Sequence, residues 1–232
     1  MKSCALWVVA AATAVSAVPA RSQEAGIVVS EVILPAPGAA YHGGTHVFLN
    51  GGARLTCSSH GGFTSSVAPP RTAGTTAIAD YRATFTGELA LEPPAVSSPA
   101  VFPIAQQVHM VERIALGERR GREQVLETEI VALDLQGPGL PNGVLVRESP
   151  ELVSSGRTSI APLEGGRFRV ESYYDVWLEI SLDGGRSWNR AEAAVRMSIA
   201  PAARAARISP GGGEEEMVTD RATGTFDVKL EP

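Results

Sequence analysis

Residues 167–188 read RFRVESYYDVWLEISLDGGRSW, and the alternation inside this stretch decides the fold class. The even positions Phe168, Val170, Tyr174, Val176, Leu178, Ile180 and Leu182 are apolar, with Ser172 the exception. The odd positions Arg167, Arg169, Glu171, Tyr173, Asp175, Trp177, Glu179, Ser181 and Asp183 are mostly polar. A period of two held this long predicts one strand with one buried face and one face in water. Helical spacing would instead put Val176 and Glu179 on one side. The run ends at Asp183-Gly184-Gly185, a turn signal. Ala191, Ala193, Val195, Met197 and Ile199 then alternate as the expected antiparallel return strand.

The same alternation recurs on both sides of this stretch. Strands are expected at 27–34, 46–49, 54–57, 81–92, 107–116, 124–135, 143–147, 155–161 and 225–230. Turns are expected at 50–52, 137–142 and 165–166. Loops are expected at 58–80, 93–103 and 211–216, and 201–207 could make one helical turn. Within 124–135 the apolar residues drift out of phase, which predicts a β-bulge or burial on both faces. The sum is ten to twelve short strands, no helix beyond two turns and no fixed repeat. This predicts an all-β fold, an antiparallel β-sandwich or related barrel, in one domain over 21–232 with 80–200 as its best-defined part.

Residues 1–20 (MKSCALWVVAAATAVSAVPA) have a basic start at Lys2, an apolar middle and a small-residue cleavage site ending at Ala20. The expectation is a signal peptide and export to a periplasmic or extracellular location. Cys4 precedes the apolar run, which argues against a lipoprotein. No later stretch approaches the roughly 18 apolar residues of a membrane helix. The formal net charge of −5 becomes one unit more negative without Lys2. Arg113, Arg119, Arg120 and Arg122 are interspersed with acids, so no nucleic-acid partner is expected. Cys57 is the one cysteine after position 20, which leaves no internal disulfide and suggests a small buried residue. His60 follows in a Ser-Ser-His-Gly-Gly context that reads as a turn, so a Cys57–His60 dyad is not expected.

Residues 181–188 (SLDGGRSW) match the Asp-box pattern, with Ser181, Asp183, Gly185 and Trp188 at its spacing. In sialidases and other β-propellers, which this octapeptide resembles, the motif is a structural turn away from the active site. It occurs here once, and residues 21–232 are too few for a six-bladed propeller. A wider resemblance spans roughly 80–200. Arg147-Glu148-Ser149-Pro150, Ser155-Gly156-Arg157-Thr158, Glu171-Ser172-Tyr173-Tyr174-Asp175-Val176 and Asp183-Gly184-Gly185 occur in an order similar to uncharacterised exported bacterial β proteins. Many of these end in a PEP-CTERM sorting tail. The chain ends at Leu230-Glu231-Pro232 without that pattern, so free secretion or a periplasmic home is expected. The resemblance implies no established activity.

Residues for chemistry are sparse. His42, His46 and His60 would make a zinc site only if folding converged them. Gly43-Gly44 argues against the helix that would pair the first two, so they read as surface-loop histidines. Glu171 and Asp175 lie about 13 Å apart on one strand face, beyond the roughly 5–9.5 Å of a glycoside-hydrolysing pair, which makes a secreted hydrolase the weakest reading. Tyr173 and Trp177 share the water face of the same strand, flanked by Arg169, Glu171, Asp175 and Glu179. They are the candidate ligand-binding residues, for a glycan or another surface protein. The expected function is a non-catalytic structural or binding protein at the cell exterior, without catalytic residues, metal or cofactor. The alternative is a carbohydrate-binding module.

Overall fold

The computed structural model describes residues 26–48, 52–93, 95–137 and 139–202. The expected signal peptide at 1–20, Leu49 through Gly51, positions 203–207, the expected loop at 211–216 and the expected strand at 225–230 lie outside the described residues. The described chain is 62% strand and 2% helix, with its thirteen strands in one sheet. They are β1 (Ile27–Val29), β2 (Ala39–His42), β3 (Thr45–Phe48), β4 (Ala53–Gly61), β5 (Thr76–Leu91), β6 (Ala100–Arg120) and β7 (Glu123–Leu135). Then follow β8 (Leu145–Glu148), β9 (Ser154–Pro162), β10 (Phe168–Val176), β11 (Leu178–Ser181), β12 (Asn189–Arg190) and β13 (Val195–Pro201).

The sheet closes on itself. β10 pairs with β13, and the wall continues through β2, β4, β5, β6 and β7. β9 then pairs with β7 on one side and β10 on the other, which completes an eight-stranded antiparallel barrel. The all-β expectation holds, and of the sandwich and the related barrel it is the barrel that forms. Sandwich and barrel strands alternate in the same way, and only the double pairing of β9 tells them apart. β8, β11 and β12 branch from β7 as an appended ladder, and β3 pairs with β4.

Strand lengths also depart from expectation. β5 and β6 run 16 and 21 residues and pair from Thr76↔Ala115 to Leu91↔Ala100, so the expected connection at 93–103 gives up residues 100–103 to strand, while 95–99 stay turn and loop. Pro103 is tolerated because β6 has a partner on one side only until His109 meets β7. The first strand is shorter than expected, ending at Val29, and Leu34 makes an isolated bridge to Val67. β2 and β12 had no clear pattern of their own, being too short to show a period.

Two bulges aim the interior. Val111 faces Ala132 while Glu112 faces Ile130, so Val131 is the extra residue. The buried phase of β7 shifts there from Leu126, Thr128 and Ile130 to Leu133 and Leu135, as the phase drift predicted. A second bulge lies between Cys57 and Ser59, and it turns His60 inward.

The opening stretch is one strand only as far as Val176. Its even side chains Val170, Ser172, Tyr174 and Val176 are buried in the barrel. At Trp177 the ladder breaks: its N–H donates to Ser154 Oγ at 2.9 Å, and its carbonyl accepts the Ser149 N–H at 2.9 Å. β11 then leaves the wall to pair with β8 and β12. The return strand is present, as β13 against β10.

Closure demands close approach at β9. A Cβ on Gly156 would lie 2.3 Å from Tyr173 O, 2.6 Å from Tyr174 Cδ1 and 2.7 Å from Thr128 Oγ1. Two neighbouring strands thus squeeze this position, and one of the obstacles is backbone. Gly156→Ala is expected to cost about 1–3 kcal/mol or more through overpacking, read as a fall in the urea midpoint. Ser155→Ala, on an exposed position, should leave the midpoint close to wild type.

Candidate functional site

The outer wall carries the expected ligand face. Tyr173 stands on β10 opposite Arg157 of β9 and Ser198 of β13. Its ring is stacked by the Arg196 guanidinium, 4.0 Å from the ring centroid, and Arg196 also grips Asp175 with two bonds of 2.9 and 2.8 Å. Trp177 is half-buried at the break after β10. An unbroken strand with a flat aromatic face is therefore not what forms. Glu179 is a further correction. It was expected on the water face, but it is 7% exposed, because β11 lies outside the barrel wall and buries both of its sides.

The Asp183 turn has the geometry its residue types imply. Asp183 Oδ1 accepts the N–H groups of Arg186 at 3.0 Å and Ser187 at 2.9 Å, and the Ser181 hydroxyl at 2.8 Å. The Ser187 hydroxyl donates to Oδ2 at 2.6 Å, and Ser181 Oγ accepts the Gly185 N–H at 2.8 Å. Gly184 and Gly185 adopt φ of 74° and 89°, which a Cβ would oppose. The Ser187 hydroxyl and N–H, followed by the Ser181 hydroxyl, hold the Asp183 carboxyl down to about 2. Such a group stabilises the fold above its ordinary value of 3.8, and that contribution is lost as pH falls toward 2.

Trp188 covers the turn by a route the sequence did not suggest. Arg147 stacks 3.9 Å from its ring centroid and donates Nε and Nη2 to Glu179 Oε2 at 3.0 and 2.8 Å. The Ser149 hydroxyl, itself buried, donates to Glu179 Oε1 at 3.2 Å. Arg147-Glu148-Ser149 is thus the strand that satisfies Glu179. Beside it, burial, helped by the negative charges of Glu129 and Glu179, raises the Glu148 carboxyl to about 7 against hydrogen bonds from Ser154.

The lumen holds the groups that sequence reading placed elsewhere. His46 and His60 are 1% and 3% exposed, not surface-loop residues, because β3 and the Ser58 bulge turn them inward. Residues 58–61 are strand rather than turn, and Cys57 is buried as expected. His46 Nδ1 and His60 Nε2 have no hydrogen-bond partner, and burial lowers both imidazoles to about 4. His42 is exposed and bonds Ser58 O at 2.7 Å. Among the described residues no three histidine, cysteine, aspartate or glutamate side chains converge on a metal position.

Glu112, 2% exposed, is bonded to two tyrosines that line this lumen. Tyr81 donates to its Oε2 at 3.4 Å, and Tyr174 donates to Oε1. Tyr41 donates to Ser172 Oγ at 2.9 Å, and Ser172 and Thr158 hydroxyls meet at 2.7 Å. Burial raises the Glu112 carboxyl to about 7, and the tyrosine donors oppose the rise. Burial, with the charge of Glu112, pushes Tyr41, Tyr81 and Tyr174 up, so the phenols stay protonated. The room left is about 20 Å³, the scale of a bound water rather than an organic ligand. The signal for this cluster was present in Ser172 and Tyr174 on an otherwise apolar face, and in Glu112 between Met110 and Ile114.

The chain matches no family model, no curated protein and no solved structure.

Two measurements check these roles. Arg147→Ala strands the Glu179 carboxylate and is expected to cost about 2–3 kcal/mol. That is below the roughly 3–5 kcal/mol of a fully buried pair, because the guanidinium is one-third exposed. Asp183→Ala should lower the thermal midpoint at neutral pH, and the gap to wild type should close as pH falls toward 2.

Proposed function

We propose that this is an exported, non-catalytic β-barrel protein that acts through its outer surface, as a structural or binding module at the cell exterior. The observation that carries this reading is the division between inside and outside. The side chains with shifted protonation at the core are enclosed with about 20 Å³ of room, where no organic substrate fits. Outside, Glu127, Glu129 and Asp175 are paired with Arg157, Arg113 and Arg196 at 3.3, 2.9 and 2.8 Å. These three are occupied as ion pairs, while Glu148, whose carboxyl is raised to about 7, is held by Ser154.

The outward chemistry also favours a watery setting for the barrel. A lipid-facing barrel needs an outward apolar band around its girth. Here the outward positions of β10 are Arg169, Glu171, Tyr173 and Asp175, and the apolar residues face in. Residues 1–20 support export by their composition. Replacing Ala20 at the cleavage site with a bulky residue and fractionating the host bacterium tests this. Wild-type protein that stays full-length and is found only in the cytoplasm would sink the reading.

A glycan ligand is the second reading. Tyr173 stays half-exposed with the Arg196–Asp175 pair beside it, which supplies donors and acceptors of the kind that meet sugar hydroxyls. A glycan array probed with wild type, Tyr173→Ala and Trp177→Ala is expected to show signal only for wild type. Equal signal from all three, or none, would remove this reading and leave the structural one.

A further inference from the structure

Among the described residues, Glu112 is a buried carboxyl with no cation beside it, held from two sides of the barrel. Glu112 lies on β6. Tyr81 comes from the adjacent β5, whereas Tyr174 comes from β10, three places further around the wall. Tyr41 of β2 feels the Glu112 charge, and the cavity that Tyr81 and Tyr174 line is also lined by His46 of β3 and Cys57 and His60 of β4. β7 presents Ile130 opposite Glu112. Arg113, next in sequence, points outward to Glu129 at 2.9 Å and cannot serve as counter-ion. The histidines are held neutral by burial, so an ionised Glu112 would keep its two phenol donors but have no cation to offset its charge in a largely apolar interior.

We propose that the Tyr81–Glu112–Tyr174 clamp is a proton-operated latch on the lumen. With Glu112 protonated, β6 and β10 are joined through a neutral hydrogen-bonded bridge. With Glu112 ionised, the unpaired charge draws water between them and loosens that side of the barrel. The sign follows from linkage. Burial raises the carboxyl from its ordinary 4.5 to about 7, so its stabilising contribution is complete below 4.5 and is lost as pH rises through about 7. His46 and His60 act oppositely: their contribution is present above 6.5 and lost as pH falls toward 4. A comparison with a variant that leaves the histidines in place separates the two.

The test measures the folding equilibrium constant of wild type and Glu112→Gln by urea denaturation from about pH 5 to about pH 8, with amide hydrogen exchange in β6 and β10 alongside. The ratio of wild type to variant is expected to fall about tenfold or more over that range. Exchange in β10 of the wild type, corrected for intrinsic rate, should quicken over the same range. A ratio that does not change with pH overturns the latch. Should Glu112→Gln fail to fold, Tyr174→Phe decides. Loss of its hydroxyl removes a donor to the carboxylate, so the wild-type transition should move to higher pH. A transition that stays in place, or moves lower, overturns the proposal.

Discussion

The double pairing of β9 is the constraint on which the rest depends. Its residues 154–160 meet β7, and its residues 155–162 meet β10, so two edges become one wall. A sheet closed in this way has no free edge along the wall, and its inner face becomes a lumen rather than a plane. The cost is steric, since Gly156 sits where the neighbouring strands leave no room for a Cβ. Ser155-Gly156-Arg157-Thr158 therefore serves closure: Thr158 bonds inward to Ser172, Arg157 pairs outward with Glu127, and Gly156 permits the contact.

Closure also explains the polar interior. A sandwich core is a slab that apolar residues fill from two sheets, whereas a small barrel brings several strands to one axis. Tyr41, Tyr81, Tyr174, Ser172, Thr158 and Glu112 reach each other there from five neighbouring or opposed strands and the wall between them. Their hydroxyls supply the hydrogen bonds that buried oxygen requires. The outer wall solves a different problem, with alternating arginines and carboxylates that remain in water.

The break at Trp177 separates wall from appendage. Up to Val176 the chain is barrel; after it, β11 belongs with β8 and β12, and the Asp183 turn is fastened through Trp188, Arg147 and Glu179. Arg147, Ser149 and the Asp183 turn, far apart in the chain, meet at this fastening.

The amino-acid sequence by itself determined the class of the fold: period-two alternation, Gly and Pro punctuation, the β13 return, the bulge in β7 and the Asp183 turn are all local properties. Tyr173 was correctly read as outward and Cys57 as buried, because each lies in a clear alternating phase. The site in the lumen was only partly legible. Ser172 stood out as a polar residue on an apolar face, whereas Glu112 was not singled out, and which residues would satisfy either depended on strands far apart in the chain. His46, His60 and Glu179 were misplaced for the same reason: a one-residue bulge or a strand leaving the wall reverses or doubles a buried face, and neither is written in the local pattern. Whether the sheet stays open or closes was decided by the tertiary structure alone, since closure rests on one strand finding two partners and inward alternation is the same in either case.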